Sequence, residues 1–494
     1  MSQEADKFIV GVDVGTTSVK FTAITTKYEV LLNKQIDYSY DILNDNWNEI
    51  EPEIWYHIII KGFKEINEIY SFNDLVGIGV TGQMHTTVFL DNEGKSIRPA
   101  ILWKDKRTTD IVPTIKAKLL EVQSTKSIAD VVSTGSPLAN LLWLKINEYE
   151  KYKKLETVFI TPNYITYKLT DKKTIDYCNA STSSLYDFKK NTWSKEVIEM
   201  FQLDPKLFPP IEYASSIAGE LTNELKDKFQ IKHSVPVIVG TGDNVASVFS
   251  NNGFNHCQPI ISLGTSGMLV IPNNKEEYKS VGKNVKAGIY PDDNFIITQG
   301  SIQAGAKVNE WWVKNILNLD DYEKEQEQVH LSLLGNNKVI FSPHMSGEKT
   351  LFSNPELKSG FYGLDLTTTK SEIYLSILEG VAFGIKMLFE NMRNEERPEY
   401  MIILGGGSKS DLWVKVFANI LNSPMYRTDK SSEAVHGIAK LALESLFSGS
   451  NENNKIIYEI TNPNPVIADK YREKYKSYIS FIEKTRQLSQ EYSE

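Results

Sequence analysis

Two short segments of this chain can be laid over one another: IVGVDVGTTSVKF, starting at Ile9, and IISLGTSGMLVI, starting at Ile260. Each reads as a strand rich in β-branched residues, a Gly-Thr-Thr or Gly-Thr-Ser turn, and a second strand. Gly264, Thr265 and Ser266 fall on Gly15, Thr16 and Thr17, and Ser262 falls on Asp13. One such hairpin near the start of each half points to a duplicated domain. The length of 494 residues agrees, since domains usually run to about 100–200 residues. The polar, turn-prone stretch NNGFNH puts the boundary near Asn251–Asn255, giving domains of residues 1–252 and 253–494.

Strands alternate with helices elsewhere, which indicates α/β layering. Pro52 suits the start of a helix that carries Ile54, Ile58 and Phe63. LVGIGVTGQMHTTVFLD reads as strand, turn and strand. MIILGGGSKSDLWVKVFANIL reads as a strand, a glycine turn and a helix with Leu412, Val416 and Ile420 on its apolar face. Trp311-Trp312 is expected in a buried helix, and the tail after Gly449 as a solvated loop and a terminal helix.

Composition excludes several classes. A formal net charge of -9 repels nucleic-acid phosphates, so no nucleic-acid partner is expected. Cys178 and Cys257 are too few for a disulfide framework. His57, His233, His256, His330, His344 and His436 form no metal-ligand spacing. The start, MSQEADKFIV, lacks the apolar stretch of a signal peptide, and no apolar run reaches the roughly 18 residues of a membrane span. The expectation is a cytoplasmic protein with no membrane partner.

The first hairpin carries chemistry. Gly15 permits a tight turn whose N–H groups can face an anion, and Thr16 and Thr17 add hydroxyls. Asp13 makes sense beside phosphate only with a cation between them, and Mg2+ with its waters is the natural choice. Gly264, Thr265 and Ser266 offer a second turn of the same kind. Gly405, Gly406, Gly407 and Ser408 form a strand–glycine–helix turn of the sort a nucleotide can approach closely. Neither the GxGxxG nor the GxxxxGK[ST] spacing is present. In VPVIVGTGDN, Asp243 follows a buried strand, with Gly242 and Asn244 beside it. It reads either as a helix N-cap or as the base that accepts a hydroxyl proton during phosphoryl transfer. Gln83, Met84 and His85 at one turn, and Trp103 with Asp105 in ILWKDKRT, are candidate sugar contacts; a structural histidine and a core tryptophan are the alternatives.

Taken together, these segments resemble the FGGY carbohydrate kinases from about Ile9 to about Ser445. GVDVGTTSVK, TGQMH, LWKDKR, TGDN, SLGTSG, SGEKT, GFYGLDLTTTKSEIYLSILEGVAF and LGGGSKSDLW occur in the family's order. Gln83-Met84-His85 followed by LWKDKR is most similar to the xylulokinase branch. The chain departs from that branch at Thr86, Lys104 and Asn163. The resemblance implies an actin-like, ribonuclease H-like duplicated two-domain α/β fold with a central cleft that closes on its substrates. It implies ATP and Mg2+, and a sugar substrate: D-xylulose, with gluconate, ribulose or L-xylulose as alternatives. It assigns Asp243 as general base and, with Asp13, as metal site. Gly15, Thr16, Thr17, Gly264, Thr265, Ser266, Gly405, Gly406, Gly407 and Ser408 would meet ATP. Gln83, Met84, His85, Trp103, Asp105, Asn244 and Asp243 itself would meet the sugar. A homodimer is compatible with it. A non-enzymatic sugar sensor is the rival class.

Overall fold

The computed structural model describes residues 7–42, 47–254, 257–274, 281–291, 295–303, 305–348, 350–352, 354, 356–392, 398–427, 433–447 and 458–491. Asn255, His256, Lys349 and Gly449 lie outside them. The hairpin expected at the start of the chain is β1 (Phe8–Val14) paired antiparallel with β2 (Ser18–Thr25), Asp13 opposite Lys20. β3 (Val30–Asp37) extends β2 antiparallel. On the other side of β1, β4 (Leu75–Gly82) runs parallel, then β6 (Pro236–Ile238) parallel to β4, then β5 (Ile217–Glu220) antiparallel to β6. The two-residue strand β7 (Thr241–Gly242) also pairs with the end of β4.

The same pattern of strand directions recurs later in the chain. β8 (Ile260–Leu263) and β9 (Gly267–Asn273) form the second hairpin, and β10 (Ile296–Ile302) extends β9 antiparallel. β11 (Met401–Leu404) runs parallel to β8 and β12 (Met425–Arg427) parallel to β11; β13 (Glu459–Thr461) closes the run antiparallel. Six strands with one set of directions, found twice, make a duplication of fold; only the outer two exchange their chain order, β5 preceding β6 but β13 following β12. The hairpins differ by one residue: Val14 pairs with Val19, but Leu263 with Gly267.

The chain forms two compact units. One comprises residues 1–251, 285–295 and 432–455, and the other residues 252–284, 296–431 and 456–494. The second half of the chain therefore contributes to the first unit. Helix α7 (Ala434–Leu446) lies on β1 and β4 so closely that a Cβ on Gly11 would stand 2.5 Å from Val435 O, and one on Gly79 2.6 Å from Ile438 O. The other face of α7 meets α4 (Asp243–Ser250), where a Cβ on Gly437 would stand 1.9 Å from Ala246 O. Backbone is approached closely at these glycines, which fixes α7 on the sheet and α4 on α7.

Helix α1 (Pro52–Asn67) starts at Pro52 as expected, but its buried face is Trp55, Ile59, Phe63 and Ile66. Ile54 is exposed, because burying Trp55 rotates the helix by one position. In the second unit α5 (Lys370–Met392) is almost wholly buried, and its Glu379 accepts hydrogen bonds from Tyr471 and Lys474 of the terminal helix α8 (Pro465–Glu491). Helix α6 (Asp411–Leu421) buries Leu412, Val416 and Ile420. Trp312 is buried and Trp311 half-buried, in a π-helical turn, Trp311–Ile316, rather than a regular helix. Among the described residues no helix is long and apolar enough to cross a membrane.

Candidate functional site

Gly240 adopts φ +78, and a Cβ there would lie 2.0 Å from Val80 O, so only glycine lets the chain turn after β6 and run beside β4. Two residues later, Gly242 is the N-cap of α4, which makes Asp243 the first helical residue. The N-cap alternative for Asp243 is thereby replaced. Its carboxylate accepts a 2.8 Å bond from the N–H of its neighbour Asn244. Burial pushes the Asp243 carboxyl up to about 7, and the charge of Asp13 adds to the rise. Asp13 sits one residue from the end of β1 and is itself raised to about 6, by burial first; Lys20 opposes the rise and Glu433 adds to it. Asp13 Oδ1 is buried without a hydrogen-bond partner.

This pair fits a divalent cation. An orphaned buried oxygen and two carboxyls held above their ordinary range both call for positive charge. Among the described residues no group of three or more His, Cys, Asp and Glu could hold a metal by itself. Mg2+ suits such a donor set, because it takes one or two carboxylates and completes its shell with water and phosphate oxygens.

The turn next to Asp13 is tied from several sides. Gly15 N–H closes the hairpin onto Ser18 O at 3.0 Å, so that amide is spent on the turn. Gly15 O accepts from the Tyr38 hydroxyl and from Gln83 Nε2 at 3.3 Å, and Trp55 Nε1 donates to the Tyr38 hydroxyl at 2.9 Å. Thr17 is exposed, and the half-buried Thr16 donates its hydroxyl to Gln83 Oε1 at 3.4 Å.

Gln83, Met84 and His85 follow β4. Gln83 N–H donates to Val14 O at 2.9 Å, which brings this turn onto the hairpin. Met84 is buried, and a Cβ on Gly242 would meet its Cγ at 2.7 Å and Cys178 Sγ at 2.9 Å. Met84 thus packs directly beneath the residue before Asp243. His85 holds φ +66, a conformation that costs a non-glycine residue energy and collects at functional sites. Trp103 is 46% exposed, which leaves a ring face open to a ligand. Asn244 is half-buried beside Asp243.

Asp105 departs from the expected sugar contact. Its carboxylate is 1% exposed and accepts from Arg107 Nε and Nη2, both at 2.8 Å, and from Asn48 N–H at 2.6 Å. Arg107 also pairs with Glu49 at 2.6 Å and lies over the rings of Trp47 and Trp143. Both acceptor oxygens are occupied inside the protein, so Asp105 holds the loop that presents Trp103.

Sequence reasoning missed Asp176. It is fully buried and accepts from Asn163 Nδ2 at 3.0 Å, Asn179 Nδ2 at 2.7 Å and Thr241 Oγ1 at 3.3 Å. It therefore steadies the strand two residues before Asp243. The amide of Asn163 suits this place, since it donates to the Asp176 carboxylate.

In the second unit, Thr265, Gly406 and Gly407 line a cavity of about 580 Å³ together with Lys307, Tyr322 and Ser410. Gly405 reaches this turn with φ +89, where a Cβ would stand 2.7 Å from Leu263 O. Ser408 faces inward and donates to Gly405 O at 2.8 Å. Gly264 and Ser266 shape the hairpin turn, Gly264 O accepting from Ala306 N–H at 2.8 Å. Lys307, Tyr322 and the acidic pair Asp320-Asp321 carried no sequence signal, because they reach the cavity from a separate part of the chain. A hollow of about 820 Å³ in the first unit lies elsewhere, around Tyr56, Lys168 and Thr222, and holds none of the expected residues.

Known proteins place this geometry. Residues 8–250 match the N-terminal domain of the FGGY family of carbohydrate kinases, and residues 260–446 its C-terminal domain. The xylulose kinase of Staphylococcus xylosus is 28% identical over 450 residues, spanning 90% of this chain and 92% of that protein. Among solved structures, a xyloylose kinase from Brucella ovis aligns with a TM-score of 0.89 at 24% identity, over 97% of this chain and 100% of that one. A gluconate kinase from Lactobacillus acidophilus aligns with a TM-score of 0.87 at 20% identity, over 98% of each. The fold they share with this chain is the two-domain actin-like one. With both of the family's domains matched in order and the two Gly-Thr turns on equivalent hairpins, this protein belongs to the FGGY family of carbohydrate kinases.

Proposed function

We propose that this carbohydrate kinase transfers the terminal phosphoryl group of ATP to D-xylulose, giving D-xylulose 5-phosphate. The observation that carries the reading is a pair of carboxyls, Asp243 at the first position of α4 and Asp13 near the end of β1 with an orphaned Oδ1, both pushed up by burial. A sugar hydroxyl is a weak nucleophile at neutral pH. A carboxylate with its pKa near 7 is matched to accept that proton as the new P–O bond forms. Asp243 is that base; its position at the start of α4 holds it still while the hydroxyl approaches. Asp13, with Asp243, would hold Mg2+, which supplies charge neutralisation to the phosphate oxygens when bound. The hydroxyls of Thr16 and Thr17 bind the terminal phosphates, and the cavity at Thr265, Gly406 and Gly407 takes the adenosine end. His85, Met84, Trp103 and Asn244 bind and orient the sugar. D-xylulose is favoured by the Gln83-Met84-His85 triplet and by the xylulose kinase of Staphylococcus xylosus among the relatives.

The test is ADP release by the purified chain with ATP, Mg2+ and a panel of D-xylulose, L-xylulose, D-ribulose, gluconate and glycerol. D-xylulose is expected to give the highest kcat/KM, by about tenfold or more. A higher value for another sugar replaces the substrate, and no ADP release with any of them contradicts the reading.

A further inference from the structure

Trp103 and Thr16 hold each other. The indole Nε1 donates to Thr16 Oγ1 at 3.1 Å, while the backbone N–H of Trp103 donates to Thr86 Oγ1 at 3.1 Å. Thr16 and Thr86 in turn donate to one acceptor, Gln83 Oε1, at 3.4 and 3.1 Å. The four residues form a closed ring through the hairpin turn, the turn after β4 and the loop that Asp105 anchors.

The ring has a fixed end and a responsive end. Gln83 and Thr86 are buried, at 2% and 0% exposure, whereas Trp103 is 46% exposed and Thr16 half-buried. A ligand can therefore touch only the Trp103–Thr16 end. The bond from Thr16 to Gln83 is the longest of the four, so its proton is the one most easily redirected. Thr16 Oγ1 can turn that proton to a phosphate oxygen while its lone pair keeps accepting the indole N–H. Thr86 supplies the hydroxyl that closes the ring.

We propose that Trp103 is a positioning residue that couples the two substrates: its indole N–H orients Thr16 to donate to the terminal phosphates, and a sugar packed on the ring holds the indole in place. This rests on the kinase reading above, in which the phosphates meet Thr16 and the sugar meets Trp103. Coupling of this kind is reciprocal, so each ligand tightens the other by one factor.

Calorimetric titration measures it, with D-xylulose and a non-hydrolysable ATP analogue, each alone and in the presence of the other, with Mg2+. In the parent protein the sugar is expected to tighten the analogue by about 5–150-fold. Trp103→Phe keeps an aromatic face and removes the N–H; it should abolish most of that factor, read as the ratio of the analogue's affinities with and without saturating sugar. Thr16→Ser keeps the hydroxyl and should keep the coupling. Parent-like coupling in Trp103→Phe, or none in the parent, overturns the inference and leaves the kinase reading standing. If Thr16→Val binds the analogue as tightly as the parent, the placement of the phosphates at Thr16 is wrong, and the inference falls with it.

Discussion

Asp13 and Asp243 carry opposite demands in the free and the working protein. Unfolded, each carboxyl titrates near 3.8; folded, they titrate near 6 and 7. Between about pH 4 and pH 7 the folded state thus binds more protons than the unfolded one. The stability these groups contribute is fully present below pH 4 and is lost as pH rises through 6 and 7. Without divalent cation, Asp13→Asn should melt above the parent at pH 7.5, by about 2 °C or more, and the gap should narrow toward pH 5. Added Mg2+ should raise the parent more than the variant. A variant that melts below the parent at pH 7.5 in the absence of metal would contradict this account. Residue identity was legible where chemistry is local: Asp13 beside a Gly-Thr-Thr turn and Asp243 after an apolar strand both announce themselves. Asp105 and Asp176 did not separate into their roles, because only the fold shows that Arg107 and Asn48 occupy the first and that Asn163, Asn179 and Thr241 occupy the second.

At the scale of elements, both hairpins were readable because a Gly-Thr turn between β-branched runs is specified by neighbours in sequence. The phase of α1 was not, since Ile54 and Trp55 are both apolar and only the sheet beneath decides between them. Nor was the placement of α7, a helix from the second half of the chain that packs in the first unit. What puts it there is a through-space match of glycines, Gly11 and Gly79 on the strands and Gly437 on the helix. Gly437→Ala tests that match. Its Cβ would enter the space of the Ala246 backbone, 1.9 Å from O and 2.7 Å from C, and push α4 away. The expected cost is about 1–3 kcal/mol in chemical denaturation, together with lower turnover, because α4 carries Asp243. Parent-like stability and turnover would show that α4 and α7 have room to spare.

At the scale of the molecule, one six-strand pattern of directions appears twice, and each copy brings a Gly-Thr turn to the end of its first strand. The copies have diverged in what stands beside that turn: Asp13 in the first unit, Ser262 in the second. The acidic pair belongs to the first copy alone, and the glycine-lined cavity of about 580 Å³ to the second. Division of labour on a duplicated frame makes the base assignment the claim on which the rest depends. It is tested most directly by Asp243→Asn, which keeps the shape of the side chain and removes the proton acceptor. With ATP, Mg2+ and saturating D-xylulose, turnover should fall by about 10²–10⁴-fold while calorimetry shows sugar still bound and the fold intact. Turnover within a few-fold of the parent, with sugar binding unchanged, would contradict the account and move the base elsewhere.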